Sequence, residues 1–272
     1  MKKSFSSLAC MSYSLSEIAE CAASFGLAVE IRLNNDGTIC GITSEDEILE
    51  IIDKYKIKIT NLGTSVALTD YEPEKIETAK KAISLAKVVG AKGIRIFLGR
   101  FIQFFSQGWE QNYDGIIKSL KEICLFGEKE GVEIWIETHN SFSTGKVLKK
   151  LIEDVGFSNL KIIWDIIHPI EQDESPEDTL RYLDGKISHI HIKDGVRSDN
   201  KDKVDYIYTK LGEGELPIEH ILSLLHKNGY DGYLSLEWEN EWRSEIKESY
   251  SSLSELLTFY NEFMDKKISA IL

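Results

Sequence analysis

Apolar and polar positions along this chain follow two periods that alternate. A first strand is expected near 4–9, and short apolar runs rich in β-branched and aromatic residues recur at 28–33, 57–62, 94–98, 132–137, 161–165, 187–192 and 232–237, each of strand length. Between them lie stretches whose apolar residues are three or four apart, which predicts helices at 15–25, 45–55, 73–89, 112–129, 144–154, 176–183, 217–228 and 248–265. Ser14 or Ser16 is placed to cap the first helix, and Ser44 opens the acidic second one with Glu47 set for a capping box. Strand–helix alternation implies a parallel sheet, and eight such units imply its closure. The predicted fold class is α/β, a single-domain (β/α)8 TIM barrel over residues 1–272, since no linker or composition break interrupts the pattern. A doubly wound open sheet is the rival arrangement.

The last four apolar runs share a further property: each reaches a metal-capable side chain at or near its C-terminal edge. They read Ile134-Trp135-Ile136-Glu137, Ile162-Ile163-Trp164-Asp165, His189-Ile190-His191-Ile192 and Tyr233-Leu234-Ser235-Leu236-Glu237. Side chains alternate across a strand, so Tyr233, Ser235 and Glu237 share one face while Leu234, Leu236 and Trp238 share the other. His189 and His191 likewise oppose Ile190 and Ile192. With the aliphatic face against the helices, the acids and His191 point inward at the C-terminal mouth, where barrel enzymes build their sites. Glu137, Asp165, His191 and Glu237 then form a hard-cation site with oxygen and imidazole ligands.

Composition narrows the partners. Lys and Arg number 32 against 45 Asp and Glu, a net charge of −13, which disfavours nonspecific binding to nucleic acid or an anionic membrane. No segment is long and apolar enough to span a bilayer, and Met1-Lys2-Lys3 precedes no signal-peptide-like apolar stretch. Cys10, Cys21, Cys40 and Cys124 form no CxxC pair and read as reduced thiols of a cytoplasmic protein. No Rossmann or Walker pattern is present, so no nucleotide cofactor is expected. The turn Gly212-Glu213-Gly214 is either a phosphate cradle or simply the bend before a helix that Pro217 opens.

At the four strand ends the chain resembles the xylose isomerase-like barrel superfamily, in its sugar (phosphate) isomerase/epimerase branch, which also resembles endonuclease IV. The resemblance implies one divalent metal ion, Mn, Mg, Co or Zn, on Glu137, Asp165, His191 and Glu237. It also implies that Glu137 and Glu237 double as the acid/base pair. Asp165-x-x-His168 matches the family's DxxH element, whose histidine faces substrate, and Leu211-Gly212-Glu213-Gly214-Glu215-Leu216-Pro217 resembles its turn before the seventh helix. Arg197 stands where ketose epimerases carry a substrate-binding arginine. Two departures count. Ser143 replaces a glutamate of some ketose epimerases, so the substrate need not match theirs. The extra histidines of endonuclease IV are missing before His139, and Tyr206 and Tyr208 replace its later ligands, which removes a three-metal DNA-repair site.

These parts suit proton transfer next to a carbonyl through an enediolate, with the cation stabilising developing charge. Base and acid must reach opposite faces of one carbon for epimerisation. His168 is expected to polarise a substrate oxygen, while Arg197 is either a substrate clamp or a surface residue. His139 and Asn140 line the pocket or support it, Lys193 stabilises an oxyanion or pairs with an acid, and His189 reads as structural. Glu30 and Arg95 are expected to form a buried ion pair. The function that follows is a divalent-metal-dependent sugar isomerase or epimerase acting on a small sugar or polyol-derived ketone. The alternatives are a dehydratase of a sugar- or inositol-derived ketone on the same barrel and a non-catalytic carbohydrate-binding barrel. A homo-oligomer is compatible with the sequence.

Overall fold

The computed structural model describes residues 1–100, 111–199 and 206–271, so most of the loop expected after the fourth strand lies outside it. Eight parallel strands close into a barrel: β1 (Lys2–Ser6), β2 (Ala28–Arg32), β3 (Ile59–Leu68), β4 (Gly93–Leu98), β5 (Glu133–Glu137), β6 (Leu160–Asp165), β7 (Ile187–Ile192) and, after a hairpin of β8 (Asp194–Arg197) with β9 (Tyr206–Thr209), β10 (Tyr233–Leu236). Their order round the barrel is β1-β10-β7-β6-β5-β4-β3-β2, with the last strand pairing back onto the first. The helices are α1 (Leu15–Phe25), α2 (Glu45–Tyr55), α3 (Pro73–Val88), α4 (Tyr113–Glu130), α5 (Gly145–Val155), α6 (Ile167–Glu171), α7 (Pro176–Tyr182), α8 (Ile218–Lys227) and α9 (Leu253–Ile271).

Local chemistry sets the helix ends. Ser14 caps α1 in a reciprocal box with Glu17, and Gly26 ends the helix in the left-handed region at φ 62°. Ser44 accepts from the Glu47 amide at 3.3 Å, so Glu47 serves through its backbone there. Thr144 and Ser175 cap α5 and α7 in the same way, and Pro73 and Pro176 start α3 and α7.

Several boundaries differ from the sequence pattern for physical reasons. The first strand ends at Ser6, because the Ser6 hydroxyl accepts from the Leu8 amide and turns 7–10 into a 3-10 helix. The third strand runs on to Leu68 through Gly63 and Thr64, small and polar residues that read as a loop, with a register shift against β4 between Gly63 and Ala67. The hairpin β8–β9 and the one-turn helix α6 carry no periodic signal at all. The final helix begins at Leu253 rather than 248 and continues to Ile271, and Pro217 caps α8 rather than opening it.

The molecule divides its interior in two. Outward-facing strand residues such as Ile134, Ile136, Leu234 and Leu236 are fully buried with helix residues such as Ile83, Leu120, Leu148 and Leu257, a continuous apolar shell between barrel and helices. Inside the barrel, beside Trp135 and Ile163, the buried residues are largely polar: Glu30, Arg95, Glu137, Asp165, His189, His191, Ser235 and Glu237 are each at most 3% exposed. A barrel lumen filled by charge rather than by branched aliphatics is costly unless every group is paired. The apolar contribution to stability therefore comes from the outer shell, while the lumen gathers the buried charge. All four cysteines carry free thiols, and among the described residues no helix is long and apolar enough to cross a membrane.

Candidate metal centre at the barrel mouth

The C-terminal ends of β5, β6, β7 and β10 bring Glu137, Asp165, His191 and Glu237 together. One donor atom from each lies within 4.8 Å of all the others, and all four side chains are buried. Strand register does this: Asp165 pairs with His191 across β6–β7, and His191 with Ser235 across β7–β10, two residues short of Glu237. Thr138, directly after Glu137, holds the next strand in place. Its hydroxyl accepts from the Asp165 amide at 2.9 Å and donates to the Asp165 carbonyl at 3.0 Å. The Ile167 amide donates to Asp165 Oδ1 at 3.1 Å, which leaves Oδ2 turned toward the cluster.

Glu137 Oε2, Asp165 Oδ2 and His191 Nδ1 are buried and make no aligned hydrogen bond. Their neighbours are ionic: Arg95 Nη1 lies 3.0 Å from Glu137 Oε2, Lys193 Nζ 2.7 Å from Asp165 Oδ2, and Glu237 Oε2 3.2 Å from His191 Nδ1. Three carboxylates and one imidazole, all but Glu237 with a donor atom that makes no aligned hydrogen bond, fit a divalent cation by number and by ligand chemistry.

Two buried cations balance the acids. Lys193 Nζ lies 2.5 Å from Glu237 Oε2, 2.7 Å from Asp165 Oδ2 and 2.7 Å from Glu239 Oε1. Arg95 Nη1 reaches Glu137 at 3.0 Å, Glu237 at 3.4 Å and Glu30 at 3.8 Å. The expected Glu30–Arg95 pair is thus the loosest of Arg95's contacts, and Glu30 sits closer to His191 and His189, at 2.8 and 3.2 Å. Burial opposes the charge on Glu237 and Glu137, yet His191 and Lys193 hold the first well below the carboxylate range, and Arg95 holds the second below it. For Asp165, burial wins and its carboxyl is pushed up. Lys193 is held well above the usual lysine range against burial by Asp165 and Glu237.

His168, on α6, lies 3.4 Å from Asp165 Oδ2 through Nε2 and 2.8 Å from Glu171 Oε2 through Nδ1. Against burial, Asp165 and Glu171 push it up to about 9, so it carries a proton at neutral pH. His139 stands edge-on to it with ring centroids 4.6 Å apart, and its Nδ1 lies 2.8 Å from Asn140 Oδ1. Burial and the neighbouring His168 charge push His139 down to about 4, which keeps it neutral. Arg197 lies apart from the cluster, on β8, half exposed. It donates to the Ile170 carbonyl at 2.9 Å and lies 3.2 Å from Asp173, so it braces the segment that carries His168.

The glycine turn has an internal occupant. The Asp194 carboxylate accepts from the amides of Gly195 at 2.9 Å, Gly212 at 2.8 Å, Gly214 at 3.2 Å and Leu216 at 3.2 Å. Those amides are the ones a phosphate would need, so the turn serves the fold. A Cβ on Gly214 would lie 2.1 Å from Asp194 Oδ1, which explains glycine there. Asp194→Ala leaves four amides without their acceptor and is expected to cost about 3–5 kcal/mol of stability, read by denaturant unfolding. A loss under about 1 kcal/mol would show that water replaces the carboxylate.

Thr138, Glu171 and Glu239 escaped the sequence reading. Glu171 alone left a trace there, three residues after His168 at helical spacing. Thr138 and Glu239 become visible only when strand ends are in register.

A family model described as "Xylose isomerase-like TIM barrel" matches residues 11–256. An uncharacterized protein of Methanocaldococcus jannaschii is 24% identical over 82% of this chain and 76% of its own length. Hydroxypyruvate isomerase of Escherichia coli is 26% identical over 64% of this chain and 66% of its own length. Inosose dehydratase of Clostridium beijerinckii is 25% identical over 51% of this chain, and the match spans about half that enzyme, 49%. Among solved structures, the IOLI protein with a binding zinc atom superposes with a TM-score of 0.82 at 20% identity, covering 100% of this chain and 99% of that one. The probable 3-DHS dehydratase AsbF of Bacillus anthracis gives a TM-score of 0.75 at 20% identity, covering 97% and 99%.

Proposed function

This chain belongs to the xylose isomerase-like TIM barrel family, and from that premise we propose that it is a divalent-metal-dependent sugar isomerase or epimerase, moving a proton next to a carbonyl of a small sugar or polyol-derived ketone. The observation that carries this reading is the cluster of Glu137, Asp165, His191 and Glu237, buried and mutually within 4.8 Å, at the mouth of the barrel. A divalent cation held there supplies Lewis-acid stabilisation for negative charge that develops on oxygens beside the reacting carbon. Asp165 and His191 hold the ion. Glu137 and Glu237 hold it too and carry protons, since their strands stand three places apart round the barrel and approach a bound molecule from different sides. His168, protonated, donates to a substrate oxygen; His139, neutral, walls the pocket beside it. Arg197 fixes the segment on which His168 rides.

Lys193 favours a second reading. A dehydratase shares the first proton abstraction but then needs an acid to expel a β-hydroxyl as water. The Lys193 ammonium stands 2.5 Å from Glu237, on the side of the candidate base. The likeness to inosose dehydratases points the same way.

NMR in deuterated water with hydroxypyruvate, a ketose panel and an inosose separates the readings. Deuterium entering at carbon without loss of water supports the isomerase or epimerase. An unsaturated product with release of water selects the dehydratase. Neither exchange nor turnover with the loaded protein would overturn the enzymatic reading and leave a carbohydrate-binding barrel.

Elemental analysis after gentle purification is expected to find one divalent ion per chain. Two or three tightly held ions would overturn the mononuclear site.

A further inference from the structure

His191 has two ring nitrogens with different surroundings, and the second one meets a residue outside the four-ligand cluster. Nδ1 faces the carboxylates of the mouth, 3.2 Å from Glu237 Oε2 and 3.6 Å from Glu137 Oε1, and makes no hydrogen bond. Nε2 points the other way, to Glu30 Oε2 at 2.8 Å. Glu30 stands on β2, three strands away from β7 in the barrel order, so this contact crosses the lumen beneath the mouth. Glu30 is 1% exposed and His191 fully buried, so the contact is shielded from bulk water.

We propose that Glu30 is a positioning residue for the metal centre: its carboxylate takes the Nε2–H of His191 and thereby presents the Nδ1 lone pair to the ion. This rests on the reading of Glu137, Asp165, His191 and Glu237 as the ligand set. The reasoning is one of donor and acceptor count. An ionised carboxylate only accepts, so the ring nitrogen that meets it is the one that carries hydrogen. A neutral imidazole then has its acceptor at Nδ1, and the hydrogen bond also fixes the ring plane, as carboxylates do behind metal-bound histidines generally.

The surrounding residues make Glu30 specific to this task. His189, two residues earlier on β7, lies 3.2 Å from the same Oε2 and stacks on Trp135 with ring centroids 5.4 Å apart, which confines that oxygen from below. Arg95 Nη1 lies 3.8 Å from Oε1, so the other oxygen faces the guanidinium that also reaches Glu137 and Glu237. Glu30, His189 and His191 form a three-donor group that could itself hold a metal ion. A second dication there would sit beside the Arg95 guanidinium and would take the nitrogen that His191 uses to stay oriented. The arrangement suits a hydrogen-bonded support better than a second metal site.

Glu30→Gln tests this without changing side-chain size. An amide can turn its NH2 toward Nε2, which makes that nitrogen the acceptor and moves the hydrogen to Nδ1, against the ion. Titration with Zn²⁺ or Co²⁺ against a competing chelator is expected to give one ion per wild-type chain and affinity weakened roughly 10–100-fold in Glu30→Gln. The Co²⁺ absorption spectrum of the variant should shift as the imidazole reorients, while Glu30→Asp should recover part of the affinity. Long-range ¹H–¹⁵N correlation on Zn²⁺-loaded wild type reads the tautomer directly and needs no variant to fold. Hydrogen on His191 Nε2 is the expected result. Wild-type affinity in a folded Glu30→Gln, or hydrogen on Nδ1, overturns the proposal while leaving the ligand set standing. Two ions in wild type and one in the variant would make Glu30 a ligand and overturn it also. Failure of wild type to bind any divalent ion would instead remove the ligand set on which the proposal rests.

Discussion

Glu237→Gln is expected to lower turnover by roughly 10²–10⁴-fold from the loss of acid–base function alone, with impaired chelation adding to it. Glutamine keeps the size of the side chain and one oxygen acceptor, but removes the charge and the basic site. The variant should fold, because Lys193 keeps Asp165 at 2.7 Å and Glu239 at 2.7 Å as partners, and Arg95 keeps Glu137 at 3.0 Å. Metal affinity should fall moderately, since three ligands remain. The informative measurement is turnover at saturating metal, checked by stoichiometry. Most of the defect should persist there, because adding the ion restores chelation and not the proton carrier. A variant that regains near-wild-type turnover under those conditions would show that Glu237 only holds the ion, and the base would then be sought at Glu137, since His168 already carries its proton.

The barrel was legible because its signal is redundant. Eight strand-like stretches alternate with eight helical ones, and errors at single boundaries, such as β3 ending at Leu68 rather than 62, leave the count intact. The convergence of Glu137, Asp165, His191 and Glu237 was legible for a related reason: residues that end parallel strands share one rim, whatever the loops do. What depended on angle or on distant contact was not. A buried pair of Glu30 and Arg95 is the simplest expectation from sequence, but the preference of Glu30 for two histidines follows from the barrel's order, in which β2 stands three places from β7. The glycine turn looked the same whether it held a phosphate or Asp194, since a sequence does not say which acceptor the amides meet. The resemblance sets Arg197 at a substrate-binding position, and the hairpin β8–β9, silent in periodicity, is what brings it beside Ile170 and Asp173.

Arg95→Met is expected to destabilise the metal-free protein by about 3–5 kcal/mol, the cost of leaving buried charges without a partner. Arg95 is 2% exposed, and its guanidinium stands 3.0 Å from Glu137, 3.4 Å from Glu237 and 3.8 Å from Glu30. Methionine fills part of the volume and offers none of the charge, so the acids of the lumen lose one of their two strong counter-cations. A divalent ion replaces that charge at Glu137 and Glu237, and in the variant it binds without a guanidinium repelling it. Binding of an ion at about 100 times its dissociation constant stabilises a folded protein by about 2.7 kcal/mol, and tighter binding by more. Metal should therefore raise the melting temperature of Arg95→Met by more than it raises that of wild type. Thermal unfolding of both proteins, with chelator and with excess ion, reads this directly. Equal metal-induced shifts, with a stability loss under about 1 kcal/mol, would mean that Arg95 is not the charge that stands in for the ion.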